Sequence, residues 1–440
     1  MPAMIASSFI IFVLIFRIIS ITYIDFFGPV YAAQLYRHIG GIGSPMPFLA
    51  LSVLTFLLAL SIIFRPKKLQ QVLALPLVSP PYAMLGSKIF FLFLSIFTFL
   101  LYADMVWIGH IPFVEKMERY DYARLYAGSL HHIIIDYGFL LAGMLGTFFI
   151  YPRLTGRGYH YRYIAILSFF FCYFALSGHR FSAFYSHVCF FGLPYAAACM
   201  LKERRELPPL PHSRTQRIMG RKSTWLIIVL AVFAMLCLVI FNSMVRVRGY
   251  DDPVGMLVQR ILIQPGELWW VTWDRLFQYW NWTPDLAWEL MFKNPFDTTR
   301  NSTIQYLMIK AIGYERATAV LALGSQYAGG YPEVLFELFG VFAALPIAFL
   351  FGLITALVLR AIVLAVCRGY FGTVFMGIYV YYGFTLLYIG GMLNFLLVMT
   401  FWLKIALFAV VYWVELTLCK QQRRRVAKRM FNYQPRAVQG

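Results

Sequence analysis

The chain has 440 residues, 61% of them hydrophobic and only 13% charged, with a mean hydropathy of +0.69. A soluble globular domain carries about 25% charged residues, so this composition excludes one and specifies an all-α polytopic membrane protein. The formal net charge of +19 needs no nucleic-acid partner, because its distribution along the chain makes it a topology signal.

Ten windows are apolar and long enough to cross a hydrocarbon core of about 30 Å, which takes roughly 20 helical residues. They lie near residues 3–24, 46–64, 89–108, 132–151, 163–178, 184–201, 224–241, 333–359, 371–390 and 393–418. The connections on one side (Arg65 to Lys88, Arg153 to Arg162, Lys202 to Lys222, Arg360 with Arg368, Lys420 to Arg436) hold 23 basic and 2 acidic residues; the other side holds 13 basic and 14 acidic. The positive-inside rule then places the first set and both termini in the cytoplasm. The first apolar stretch lacks a basic leader and a cleavage site and reads as a retained helix. All six cysteines fall in spans or at their cytoplasmic ends, so no external disulfide is expected.

Four regions follow. Residues 1–241 hold seven spans with short loops, 242–332 form one large external, periplasmic loop, 333–418 hold the last three spans, and 419–440 form a basic cytoplasmic tail. The tail, with Arg423, Arg424, Arg425, Lys428 and Arg429, is a stop-transfer anchor with some attraction for the anionic lipid bilayer. The large loop carries six of the ten tryptophans and equal numbers of basic and acidic residues, eight of each. Helical apolar spacing over Val254 to Leu276 and Ile304 to Ala322 predicts amphipathic helices lying on the bilayer surface. No internal repeat or pair of broken helices marks a secondary transporter.

Candidate chemistry gathers at the external ends of spans. Arg180, preceded by Ser177, Gly178 and His179, is a cation against the topological trend, which either snorkels to the headgroups or binds an anion. Arg246 and Arg248 are two residues apart and cannot share a helical face; their guanidinium forks suit the phosphate oxygens of a substrate or of a lipid. The run Gly329-Gly330-Tyr331-Pro332-Glu333 opens a span, with Glu337 one turn further on the same face. These carboxylates either complement the helix dipole or take a proton from a sugar hydroxyl. Trp269, Trp270, Trp273 and Tyr331 offer flat faces for a glycan, although an interfacial belt accounts for most of the tryptophans. The in-span charges Arg17, Asp104, Asp136, Lys404 and Glu415 are few, and snorkelling near span ends accounts for most of them. No metal-ligand cluster or Gly-rich phosphate loop appears, so no metal and no cofactor is expected.

The Ser177-to-Arg180 turn, the Arg246-x-Arg248-Gly249 entrance and the Pro332-Glu333…Glu337-x-Phe339-Gly340 exit, set in this layout, resemble the Wzy-type polymerases of O-antigen, capsular and exopolysaccharide repeat units. The Arg-x10-Gly spacing of some members is absent, since Leu257 and Gln259 stand eleven residues beyond Arg246 and Arg248. The resemblance implies a GT-C-like, metal-independent, inverting glycosyltransferase of the bacterial inner membrane. It would transfer a growing glycan from undecaprenyl pyrophosphate onto a lipid-linked repeat unit at the periplasmic face. Arg180, Arg246 and Arg248 would hold the pyrophosphate, with Arg180 acting in catalysis, and His179, Glu333 or Glu337 would activate the acceptor hydroxyl. A chain-length regulator and a flippase are the implied protein partners. An O-antigen ligase, with a lipid A core acceptor, and a lipid-linked oligosaccharide flippase are the alternatives.

Overall fold

A computed structural model of the protein describes residues 1–41, 43–65, 83–179, 181–203, 252–279, 281–292, 302–322 and 327–432. Its elements are α1 (Pro2–Ala6) and α2 (Ser8–Phe27), a hairpin of β1 (Val30–Ala32) and β2 (Arg37–Ile39) in which Val30 pairs with Ile39, and α3 (Met46–Ile63). Then come α4 (Ala83–Ile108), the short α5 (Pro112–Glu115) and α6 (Arg119–Leu125), α7 (Ser129–Leu154), α8 (Arg162–Leu176), α9 (Phe181–Gly192) and α10 (Tyr195–Glu203). The large loop supplies α11 (Pro253–Val258), α12 (Gln264–Trp273), α13 (Pro284–Phe292), α14 (Ser302–Ile312) and α15 (Tyr314–Ala322), with π-helical turns at Gln259–Ile263 and Asp274–Gln278. The chain closes with α16 (Glu333–Arg368), α17 (Phe371–Gly390), α18 (Asn394–Leu397) and α19 (Met399–Asn432).

Among the described residues, eight helices are long and apolar enough to cross a membrane, which makes this a multi-pass membrane protein. Nine of the ten expected windows coincide with helices. The window at 224–241 lies outside the described residues, and α8, at 15 residues, is apolar but shorter than a full crossing.

Lipid gives no hydrophobic reward for bringing helices together, so close backbone approach and dispersion must do it. Helix α7 is the spine: its spanning window is 72% buried, against 11% for the peripheral α19. Glycines make room for its neighbours. A Cβ on Gly146 would lie 2.0 Å from the carbonyl oxygen of Phe191 in α9, and one on Gly143 would lie 2.4 Å from Ile378 of α17. Across the bundle, Gly352 of α16 sits on Ala59 and Phe56 of α3.

The helices expected over Val254 to Leu276 and Ile304 to Ala322 form, but the first is not a surface helix. Gly266 of α12 packs against Ser20 and Ile21 of α2, and every residue from Gly266 to Trp273 is buried. Small residues facing each other let α12 enter the protein. The preceding π turn frees backbone carbonyls, and Ser20 Oγ donates to Leu262 O (2.9 Å) and Ile263 O (3.1 Å).

Gly146→Ala forces a Cβ against backbone that cannot rotate away. It is expected to cost about 1–3 kcal/mol and to lower the apparent melting temperature in detergent. Gly86→Ala, whose Cβ meets nothing within 4 Å, should leave that temperature unchanged or slightly raised.

Candidate functional site

A cavity of about 650 Å³ lies between α2, α7 and α9, reaching from the short helix α6 to the middle of α2. Its deep wall is aromatic. The rings of Phe9, Phe12 and Phe181 pack on Tyr185 at centroid separations of 4.9, 4.3 and 5.8 Å. The rest of the lining is mixed, with Arg17, Arg119, His131, His132, His179 and His187 set among apolar side chains. Half of the chain's eight histidines thus face one space.

Each polar side chain is positioned by its element. His131, in the first turn of α7, is 1% exposed. Its Nδ1 bonds the hydroxyl of Tyr173 at 2.9 Å, and that hydroxyl also bonds Tyr122 of α6. The Nε2 of His131 is buried with no hydrogen-bond partner, on a residue that lines the cavity. The His179 ring lies 5.5 Å from that of His131, tilted by 38°. His187 donates from Nδ1 to Ala183 O at 2.7 Å, so its buried and unpartnered Nε2 is an acceptor. Arg119 lies over the Tyr120 ring and donates to its hydroxyl at 2.7 Å; among the described residues no carboxylate pairs with it. No three His, Cys, Asp or Glu groups among the described residues converge as a metal-ligand set.

Arg17 lies near the middle of a 20-residue helix, roughly 14 Å from either end, which is beyond the reach of a snorkelling side chain. The expectation that snorkelling accounts for the in-span charges fails for it. Arg17 is 3% exposed, donates to Glu333 at 2.8 Å and to Ile389 O at 3.1 Å, and lines the cavity. Glu415 is likewise internal, accepting from the Gly372 and Thr373 amides at the start of α17 at 3.0 and 2.9 Å.

The sequence-derived site residues are only partly brought together. His179 lines the cavity, as does Phe181; Arg180 between them, and Arg246 and Arg248, lie outside the described residues. Glu333 and Glu337 do share a face but are fully buried and do not line the cavity. Glu333 pairs with Arg17, and Glu337 pairs with Arg275 of the second π turn while accepting from Tyr306 at 3.0 Å. A kink separates them from the rest of α16: Gly340 has φ 71° and ψ 179°, with Trp282 lying against it. Trp269, Trp270, Trp273 and Tyr331 are core residues, neither cavity wall nor interfacial belt. Trp269 donates to Pro45 O at 3.1 Å, and Tyr331 packs on Tyr388. Among the described residues, the outward-facing tryptophans of the spanning helices are Trp107, Trp402 and Trp413.

The residues missed by sequence reasoning are His131, His132, His187, Arg119, Arg17 and Arg275. Histidines inside apolar windows were the available signal, because a polar ring in a span requires a partner or a ligand.

Removing one partner of a buried pair leaves an uncompensated charge, at a cost of about 3–5 kcal/mol. Arg17→Met is therefore expected to lower the yield of folded protein sharply, and Arg17→Met with Glu333→Leu to recover most of it, measured as monodisperse protein in detergent. A second effect concerns Glu267 of α12, which is fully buried with neither carboxyl oxygen hydrogen-bonded. Burial pushes its carboxyl up from an ordinary 4.5 to about 8. With the folded value above the unfolded one, its contribution to stability is complete below about pH 4.5 and is lost as pH rises through about 8. Melting temperatures should fall over this window, and Glu267→Gln should flatten the slope; an unchanged slope would refute the assignment.

In comparisons with known proteins, residues 297–404 match the model of a family of unknown function, DUF6418. That segment contains Glu333, Glu337 and Tyr306 and, of the cavity wall, Ala328, Gly329, Tyr382 and Ile389. No curated protein and no solved structure matches the chain.

Proposed function

We propose that this protein is a bacterial inner-membrane glycosyltransferase that takes a growing glycan from undecaprenyl pyrophosphate and joins it to a lipid-linked repeat unit at the periplasmic face, as the resemblance to Wzy-type polymerases implies. The observation that carries the reading is the cavity, which joins an aromatic slot to a chamber lined by Arg119, Arg17 and four histidines. A polyprenyl pyrophosphate has the complementary form, an apolar chain ending in a strong anion. Pockets of this size bury most of a ligand and fix it with a few polar groups.

In this reading a sugar hydroxyl of the acceptor attacks the anomeric carbon of the donor. The bond to pyrophosphate breaks with its electron pair, giving inversion and no covalent intermediate. The departing charge needs cations already in place; Arg119 of the cavity wall supplies one, and Arg180, which follows His179 in sequence and lies outside the described residues, is proposed as another. The hydroxyl proton goes to Nε2 of His131. Tyr173 accepts from Nδ1–H, which fixes the tautomer whose Nε2 is a free base. The role given to Glu333 and Glu337 in the sequence passes to this imidazole, because both carboxylates are occupied by guanidinium groups. They hold the chamber together.

His131→Gln keeps a polar side chain and removes the base. With normal abundance in the membrane, it is expected to lower formation of new glycosidic bonds by about 10²–10⁴-fold, read from glycan ladders in a complemented deletion strain and from synthetic lipid-linked acceptor in purified membranes. Tyr173→Phe should reduce the rate less and shift its pH profile. Full ladders from His131→Gln would sink the base assignment, and a full ladder in the deletion strain would sink the function. Transfer to a lipid A core instead would make the protein a ligase, and transbilayer movement without bond formation would make it a flippase.

A further inference from the structure

A second pocket lies at the opposite end of the spine. The cavity is lined by His131 at one end of α7 and this pocket by Pro152 at the other, 21 residues apart and hence about 30 Å along the axis, the thickness of a hydrocarbon core. The two openings therefore sit at opposite membrane surfaces, and the second is on the side rich in Lys and Arg. Its volume is about 70 Å³, room for a phosphate-sized group but not for a sugar chain or a nucleotide.

The lining includes Lys88, Arg157, His160 and Arg162 with the hydroxyls of Ser87 and Thr155, and no carboxylate. Three of these features are specific. The Arg162 guanidinium is immobilised over the rings of Phe91 (4.5 Å) and Tyr163 (5.0 Å) and donates to the Tyr163 hydroxyl at 3.3 Å. That hydroxyl in turn bonds Ser87, so the cation is held in place before any ligand arrives. The Nδ1 of His160 is buried with no hydrogen-bond partner. The pocket also lies at the positive end of α8, whose dipole favours an anion. Burial, with Arg162 and Arg157 nearby, holds the His160 imidazole below its ordinary value.

We propose that this pocket binds one phosphate group at the basic membrane face, that of an anionic phospholipid headgroup or of free phosphate. The cations alone would repel one another in the dehydrated headgroup layer, and a phosphate both neutralises them and bridges α4 to the α7–α8 turn.

The test uses the full-length protein in a neutral detergent, titrated with phosphatidylglycerol, phosphatidylcholine or inorganic phosphate, with melting temperature and native mass spectra as readouts. Phosphatidylglycerol is expected to raise the melting temperature and remain bound where phosphatidylcholine does not. Lys88→Gln with Arg157→Gln should raise the half-saturating concentration about tenfold or more. The control pair Lys202→Gln with Lys420→Gln, which removes the same charge elsewhere on that face, should change it by no more than about twofold. A shift with inorganic phosphate alone assigns the site to free phosphate, and a shift only with phosphatidylglycerol assigns it to a headgroup. Absence of any shift in the wild-type protein, or an equal loss in the control pair, overturns the proposal.

Discussion

Two arginine–glutamate pairs, one helical turn apart, fix the arrangement on which the cavity depends. Each carboxylate is completely buried, and a lone charge there would cost several kcal/mol. Each therefore demands its own cation, and the two cations come from distant parts of the chain: Arg17 from α2 and Arg275 from the π turn at Asp274–Gln278. The short helix before Gly340 is thus clamped from both sides. Arg17 carries the constraint further, since it also bonds the carbonyl of Ile389. Arg17, Gly329 and Ile389 all line the cavity, so one wall of the site is the outward surface of this clamp.

The same wall shows why glycine is required next to it. Gly330 has φ +126°, and a Cβ there would lie 2.2 Å from the carbonyl oxygen of Gly390; a Cβ on Gly391 would lie 2.1 Å from that of Gly330. Two backbones meet where side chains would hold them apart, and this contact brings the end of α17 within reach of Arg17. Packing and electrostatics specify one geometry here, which is the condition for a chamber whose cations are preorganised.

Much of the bundle was legible because hydropathy and helix length report directly on a span. Helices over 254–276 and 304–322 were legible too, since their apolar spacing has the helical period. Their burial was not. Periodicity shows that a helix has an apolar face but not what covers it, and the cover for α12 is the Ser20–Ile21 surface of α2, more than two hundred residues away. Glu333 and Glu337 were marked by spacing, while their roles depended on Arg17 and Arg275, neither of which is near them in sequence. Arg17 was dismissed because a charge in an apolar run carries no sign of a partner. His131 and His187 escaped notice for the same reason: they lie on α7 and α9, and only the packing of those two helices joins them to His179, which the sequence did mark.

That packing also sets the chemistry available. Gly138 lets His187 approach so closely that a Cβ would stand 2.3 Å from Nε2, and Tyr173 of α8 reaches His131 because α8 joins the same contact. The imidazoles therefore lie in a wall that is rigid on one side through small-residue contacts and on the other through the clamp. Between them lies the aromatic slot, and an apolar chain seated in it would exclude water, which strengthens every interaction with an anion in the chamber. An apolar chain filling that slot would thus raise the affinity of the basic end for its own headgroup. A free anion, without the chain, would leave the slot wet and the cations screened. On the function proposed above, this coupling would favour a lipid-linked ligand over a soluble one of the same charge.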